Sequence, residues 1–215
     1  MHSDALSALE NLFGDRLRTS LETRICYSFD ATRKKFLPDA VVYPVHAEEV
    51  RQTVLLANLH RFPVVPRGAG TGFSGGSLPV RGGVVLSLER MDRIVSIDTE
   101  NLYAVVEPGV VTETLKAAAK ERGLFYPPDP ASLKFSTIGG NIAECAGGMS
   151  AVKYGVTRDY VLGLEAVLGT GELLRTVCHN TERMAALRSA RRRGVPRAET
   201  VSMEPAETSI SFGEE

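Results

Sequence analysis

Five glycines fall within eleven residues in the stretch Pro66-Arg-Gly-Ala-Gly-Thr-Gly-Phe-Ser-Gly-Gly76, directly after the apolar pair Val64-Val65. Glycine adopts positive φ without steric penalty, so a backbone this rich in it can turn successive N–H groups toward one anion and let a ligand approach the main chain. No helix runs through such a segment. It reads as a wrapping loop at the end of a strand, and a diphosphate is the guest that suits it. The bland alternative is a long hairpin turn that holds nothing.

Two familiar phosphate loops are disfavoured by the residues that follow. Gly70-Thr-Gly-Phe-Ser-Gly75 matches G-x-G-x-x-G, with Glu89 about the right distance onward to hold a ribose. A Rossmann unit, however, opens a helix at those glycines, and Gly75, Gly76, Pro79, Gly82 and Gly83 forbid one before the apolar run at Val84. A Walker A loop needs Gly-Lys-Ser/Thr, which does not occur here.

The surrounding pattern is that of an α+β domain. Leu6, Leu9, Phe13 and Leu17 recur at helical spacing and predict a leading helix over Asp4–Leu17 with Ser3 as its N-cap. Residues 24–38 read as a connecting loop. Ala40–Tyr43 predicts a strand, Ala47–Arg61 an amphipathic helix, and Gly83–Leu88 a buried strand. Ile94–Ile97 and Tyr103–Glu107 add two strands, and Thr112–Arg122 a helix closed by Gly123. Pro127, Pro128, Asp129 and Pro130 form a rigid elbow, because each proline fixes its own φ and biases its predecessor toward extended geometry. A second glycine-rich loop follows over Ser136–Gly148, then a hairpin of Val161–Gly169 and Glu172–Val177 across Thr170-Gly171. Beyond Val177 the sequence has Arg191, Arg192 and Arg193 in a row and only a weak helical stretch over Thr181–Leu187, so a disordered tail is expected.

Bulk composition removes several function classes. Lys plus Arg number 25 against 26 Asp plus Glu, a formal net charge of -1 that draws neither nucleic acid nor an anionic membrane. The 215 residues are 43% hydrophobic, enough for a real core, and no segment approaches the roughly 18 apolar residues of a membrane span. Cys26, Cys145 and Cys178 are too scattered for a disulfide framework or a zinc site, so no metal is expected and a reducing cytoplasm is the default. His46 and His60 read as surface or helix-end residues.

Pro66–Gly76, the elbow Pro127-Pro-Asp-Pro-Ala-Ser132, Thr137-Ile-Gly-Gly-Asn-Ile-Ala143, Ala146-Gly-Gly148 and Lys153-Tyr-Gly-Val156 occur in an order and spacing that resembles the FAD-binding domain of the vanillyl-alcohol-oxidase/PCMH flavoprotein superfamily. Within it, the resemblance is to the group of D-lactate dehydrogenases and glycolate oxidase FAD-binding subunits. It divides the chain into residues 1–36 (a helix and connecting loop), 37–177 (the FAD-binding domain) and 178–215 (a divergent tail). The implied fold is α+β, a PCMH-type domain of two α/β subdomains.

The resemblance implies that Pro66, Arg67, Gly68, Ala69, Gly70, Thr71, Gly72, Ser74, Gly75 and Gly76 bind the FAD pyrophosphate. It implies further cofactor contacts from Pro128, Asp129, Pro130 and Ser132 of the elbow, and from Ser136, Thr137, Gly139, Gly140, Asn141, Ala143, Gly147 and Gly148. Tyr154 and Gly155 complete the expected set. Many members carry in the first loop a histidine bonded covalently to the flavin; this loop has none, so FAD is expected to bind non-covalently. Cys145 stands where the group commonly has Asn, and its weaker hydrogen bonding would lower affinity if that amide serves the flavin or the backbone.

The implied activity is oxidation of a small 2-hydroxy acid such as D-lactate or glycolate, in the cytoplasm or peripheral to the inner membrane through electron-transfer partner subunits. An NADPH-using peptidoglycan-precursor reductase of the same superfamily fits the elbow and Gly-Gly-Asn stretches less well. Family members continue after Gly169 with a Gly-Tyr/Phe-Asp-Leu segment, a Gly-Ser-Glu-Gly-Thr-Leu-Gly-like loop and a cap domain bearing the substrate groups; none of these occurs over Cys178–Glu215. A truncated member with an incomplete second subdomain is therefore expected. The alternative reading is a non-catalytic FAD-binding remnant, and no catalytic residue is assigned.

Overall fold

The structure, a computed structural model, describes residues 1–177, 198–199 and 208–213. Cys178, the arginine run at 191–193 and the helical stretch expected at 181–187 lie outside the described residues. The chain divides into two compact units, residues 1–91 with 166–174, and residues 92–165 with 175–215.

The first unit opens with helix α1 (Ser3–Phe13), a short β1 (Leu17–Arg18) and α2 (Leu21–Cys26). Strand β2 (Ala40–Val42), helix α3 (Ala47–His60), β3 (Val64–Arg67) and β4 (Val84–Ser87) follow. The sheet order is β1-β2-β4-β3, with β4 parallel to both β2 and β3 and β1 antiparallel to β2. Every residue of β4 is buried, as the unbroken run Val84-Val85-Leu86 demands of a central parallel strand covered on both faces. On one face Leu9 and Phe13 of α1 pack on Ala40, Val42, Val84 and Leu86; on the other Tyr27 joins Val41, Tyr43 and Val85.

The leading helix is shorter than its periodicity predicts. It ends at Phe13 because Gly14 turns to φ 53°. Ser3 is its first helical residue rather than its cap, and its hydroxyl donates to Asp4 Oδ1. Part of the loop expected at 24–38 is also helical, where Ser20 caps α2 by accepting from the Thr23 N–H. At α3 the imidazole of His46 accepts from the Glu49 N–H as N-cap, and His60 is the last residue, so both sit at helix ends. Arg16 grips Glu49 through two hydrogen bonds of 2.6 and 2.5 Å.

The second unit comprises β5 (Ile94–Asp98), β6 (Tyr103–Val106), α4 (Thr112–Lys120), α5 (Ile138–Glu144), α6 (Ala151–Tyr154), β7 (Val161–Val167), β8 (Leu173–Val177), β9 (Ala198–Glu199) and β10 (Thr208–Gly213). The last residues of β7 and the hairpin tip through Leu174 belong to the first unit. The sheet order is β5-β6-β10-β7-β8, with β9 paired to β10. Ala104, Val106, Val110, Leu115, Ala119, Tyr126 and Ile138 form its core.

Two expectations fail here for physical reasons. Thr208–Gly213, expected in a disordered tail, is a strand antiparallel to both β6 and β7. Ser209-Ile-Ser-Phe212 alternates polar and apolar residues at the strand period, a signal too short to stand out among aperiodic neighbours. The second glycine patch, expected as a loop, folds over Ile138–Glu144 into helix α5, capped by the Thr137 hydroxyl.

Candidate functional site

Strand β3 delivers Arg67 to the start of the glycine loop with only 7% of its surface exposed. Its guanidinium lies 5.5 Å from the Tyr27 ring and 3.5 Å from Ser77 Oγ, and among the described residues no carboxylate oxygen is within 4.0 Å of it. Burial pushes its pKa down against the opposing fields of Tyr27, Asp30 and Glu89. Gly70 folds over this group at φ 67°, where an added Cβ would lie 2.2 Å from Nη2. Gly75 also has positive φ, so both positions require glycine.

The N–H groups of Ala69–Phe73 and of Gly75–Ser77 make no hydrogen bond to any described residue. Backbone donors without a described partner, with Gly70 against a buried cation, are a donor set of the kind that suits an anion. Pro66, Ala69, Ser74 and Gly76 are exposed around it, and Gly68, Thr71 and Gly72 half-buried. Glu89, the ribose ligand of the rejected Rossmann reading, instead accepts the Tyr27 hydroxyl at 2.8 Å. Burial first, and the hydrogen bonds of Tyr43 and Glu89 after it, push the Tyr27 pKa far up, so it stays a neutral donor.

The first half of the second patch handles its donors differently. At the N-terminus of α5, Ile138 N–H donates to Val110 O and Gly139 N–H to Pro108 O, both at 2.8 Å. Gly140 N–H reaches Thr137 Oγ1 and Asn141 N–H reaches Thr137 O. Gly139 is glycine because a Cβ would sit 2.6 Å from Pro108 Cβ. The Asn141 side chain, expected at the cofactor, donates at 2.7 Å to Thr112 Oγ1, which also bonds Ser136. Ser136, Thr137 and Asn141 are thus buried in a polar network, while Ala143 is exposed on α5.

Helix α5 ends in a Schellman motif, Ala146 N–H to Asn141 O and Cys145 N–H to Ile142 O, with Cys145 at φ 50°. An asparagine at this position is explained by its tolerance of the left-handed region, so the backbone accounts for the residue expected there.

Beyond it, the structure joins two groups of expected residues. The Asp129 carboxylate accepts the Ser150 N–H at 3.0 Å and its hydroxyl at 2.8 Å, and Asp129 bridges Gly148 through the backbone. Gly148 has no room for a Cβ, which would lie 2.1 Å from Asp129 O. Pro128 is buried and Pro130 and Ser132 half-buried; the Ser132 carbonyl accepts from Phe135 and Ser136. Gly147 stands close to Val156 and Ala151. Tyr154 packs edge-on against Phe125, and Gly155 at φ 87° closes α6. The sequence alone does not single out Ser77 or Ser150, because an isolated serine carries no signal of its own.

A match to the family model described as "FAD binding domain" extends over residues 38–177. The chain belongs to this FAD-binding domain family. Among similar proteins, the glycolate oxidase subunit GlcD of Bacillus subtilis (strain 168) is 51% identical over 154 residues, 71% of this chain and 33% of that protein. A D-lactate dehydrogenase of Anaerostipes hadrus is 46% identical over 141 residues, 66% of this chain and 30% of that protein. The chain thus spans about a third of the length of the curated relatives it matches. The solved structure of an alkyldihydroxyacetonephosphate synthase superposes with a TM-score of 0.77 at 24% identity, covering 99% of this chain and 43% of that one, a likeness of fold. FAD is accordingly the cofactor of this domain, and the unspent donors beside buried Arg67 suit its diphosphate. Among the described residues, no helix is long and apolar enough to cross a membrane.

Proposed function

We propose that this FAD-binding domain serves an oxidoreductase acting on a small 2-hydroxy acid such as D-lactate or glycolate. The observation that carries the cofactor half of this reading is the set of loop N–H groups with no partner among the described residues, with Gly70 lying against buried Arg67. When bound, FAD supplies the acceptor for a hydride or electron pair, and the protein supplies binding and orientation. The N–H groups of Gly70–Gly72 and Gly75–Gly76, with Arg67, hold the diphosphate. Pro128, Asp129, Ser132, Gly147 and Gly148 contribute further contacts, stiffened by the Asp129–Ser150 hydrogen bonds. The substrate class is supported by the names of two relatives, a glycolate oxidase subunit and a D-lactate dehydrogenase. The word subunit in the first supports an electron-transfer partner.

Purification, addition of FAD and dialysis, followed by absorbance in the flavin bands, tests binding; free flavin after acid precipitation tests non-covalent attachment. Anaerobic addition of D-lactate or glycolate then bleaches the bound flavin if the chain also turns over substrate. Retained flavin that neither acid bleaches leaves a binding module without turnover. No retained flavin overturns the reading.

A further inference from the structure

The proline elbow has a structural weakness that a residue elsewhere in the sequence repairs. Pro127 and Pro128 carry no N–H, so their backbone can be hydrogen-bonded only through carbonyl oxygens. Three successive carbonyls converge on one ammonium: Lys116 Nζ on α4 lies 2.7 Å from Tyr126 O, 3.4 Å from Pro127 O and 3.1 Å from Pro128 O. An ammonium has three donors and no acceptor, matching the three oxygens. Its Nζ lies 5.5 Å from the centroid of Phe125. Half-burial pushes the Lys116 pKa down and the Asp129 carboxylate opposes this.

The residue after the pinned carbonyls is Asp129, which holds Ser150 by two hydrogen bonds and touches Gly148 through the backbone. Freeing the carbonyls loosens the base from which Asp129 holds the Gly148–Ser150 turn. We propose that Lys116 is a positioning residue of the FAD site, a clamp that fixes the proline elbow so that Asp129 sets the Gly148–Ser150 turn. The inference rests on the reading that the elbow and this turn contact FAD.

Lys116→Met keeps the apolar stem and removes the donors. Amide hydrogen exchange on the full chain without FAD reads the clamp directly. The Ser150 amide is expected to lose about tenfold or more of its protection, in line with loss of a charged hydrogen-bond set, while Leu115 and Ala119 amides in α4 keep theirs. FAD binding to the same variant is expected to weaken about tenfold, with full capacity at saturation. Unchanged Ser150 exchange overturns the clamp, whatever FAD does. Changed exchange with unchanged FAD affinity overturns the positioning role but leaves the clamp. If the wild-type chain binds no FAD, the functional reading fails and the exchange result still judges the clamp. Should Lys116→Met not fold, Lys116→Gln takes its place under the same criteria, because its amide has no charge and only two donors on a shorter stem.

Discussion

Replacing Arg67 by methionine separates an anion-binding arginine from a structural one, because the two roles give effects on different measurements. A buried arginine paired with a carboxylate costs about 3–5 kcal/mol of stability when its pair is broken. Arg67 has no carboxylate within 4.0 Å among the described residues. Its contacts are the Tyr27 ring, a cation–π term of about 0.5–1 kcal/mol, and a hydroxyl at 3.5 Å, too long to contribute much. Methionine loses these but also removes a charge that burial disfavours. Arg67→Met is therefore expected to leave apo stability in urea within about 1 kcal/mol of wild type. FAD loses a charged hydrogen bond of about 1.5–3 kcal/mol, hence roughly 10- to 100-fold in dissociation constant by calorimetry or flavin fluorescence. A loss of about 3 kcal/mol or more of apo stability with FAD affinity unchanged would refute the assignment.

Three further perturbations test other parts of the molecule. Cys145→Gly relieves a left-handed residue and is expected to raise stability by about 1 kcal/mol in urea unfolding, with Cys145→Val moving the other way. Burial alone would raise the Glu49 pKa, but the Arg16 fork and the Val45 N–H outweigh it and hold it below its ordinary 4.5. Its folded value is thus below its unfolded one, so its contribution is complete above about pH 4.5 and is lost as pH falls through the folded pKa. Urea midpoints from pH 7 to 3 should show this fall, and Glu49→Gln should flatten it. Ile210→Pro removes a donor from the strand paired with β6 and β7, so amides of Ala104 and Val161 are expected to exchange about tenfold faster or more, while those of Val41 and Val85 keep their protection.

What the sequence reveals depends on how local the cause is. The run Val84-Val85-Leu86 announces a buried strand by itself, and the glycines at 70 and 75 announce positive φ. Helix α5 stays hidden because Gly139 and Gly140 are poor helix formers, and the helix is secured by docking on Pro108 and Val110, some thirty residues away. The burial of Arg67 depends on the pairing of β3 with β4, and the partners of Lys116 on how α4 packs beside the elbow. Charged residues of this kind look like surface until the tertiary structure supplies their surroundings.

The two glycine patches look alike as strings and differ in where their donors go. In α5 the first four N–H groups are all committed, two of them to carbonyls of the preceding connection, and Gly139 is needed for its missing Cβ against Pro108. In Pro66–Gly76, Gly70 and Gly75 take positive φ, and the N–H groups of Gly70, Gly72, Gly75 and Gly76 have no partner among the described residues, Gly70 lying against the buried Arg67 guanidinium. Among the described residues, the α5 N-terminus would have to break bonds to serve a phosphate, whereas the loop at Ala69–Phe73 would not. The count of glycines therefore marks both places as special, and the accounting of N–H groups separates the loop proposed to hold the anion from the α5 N-terminus.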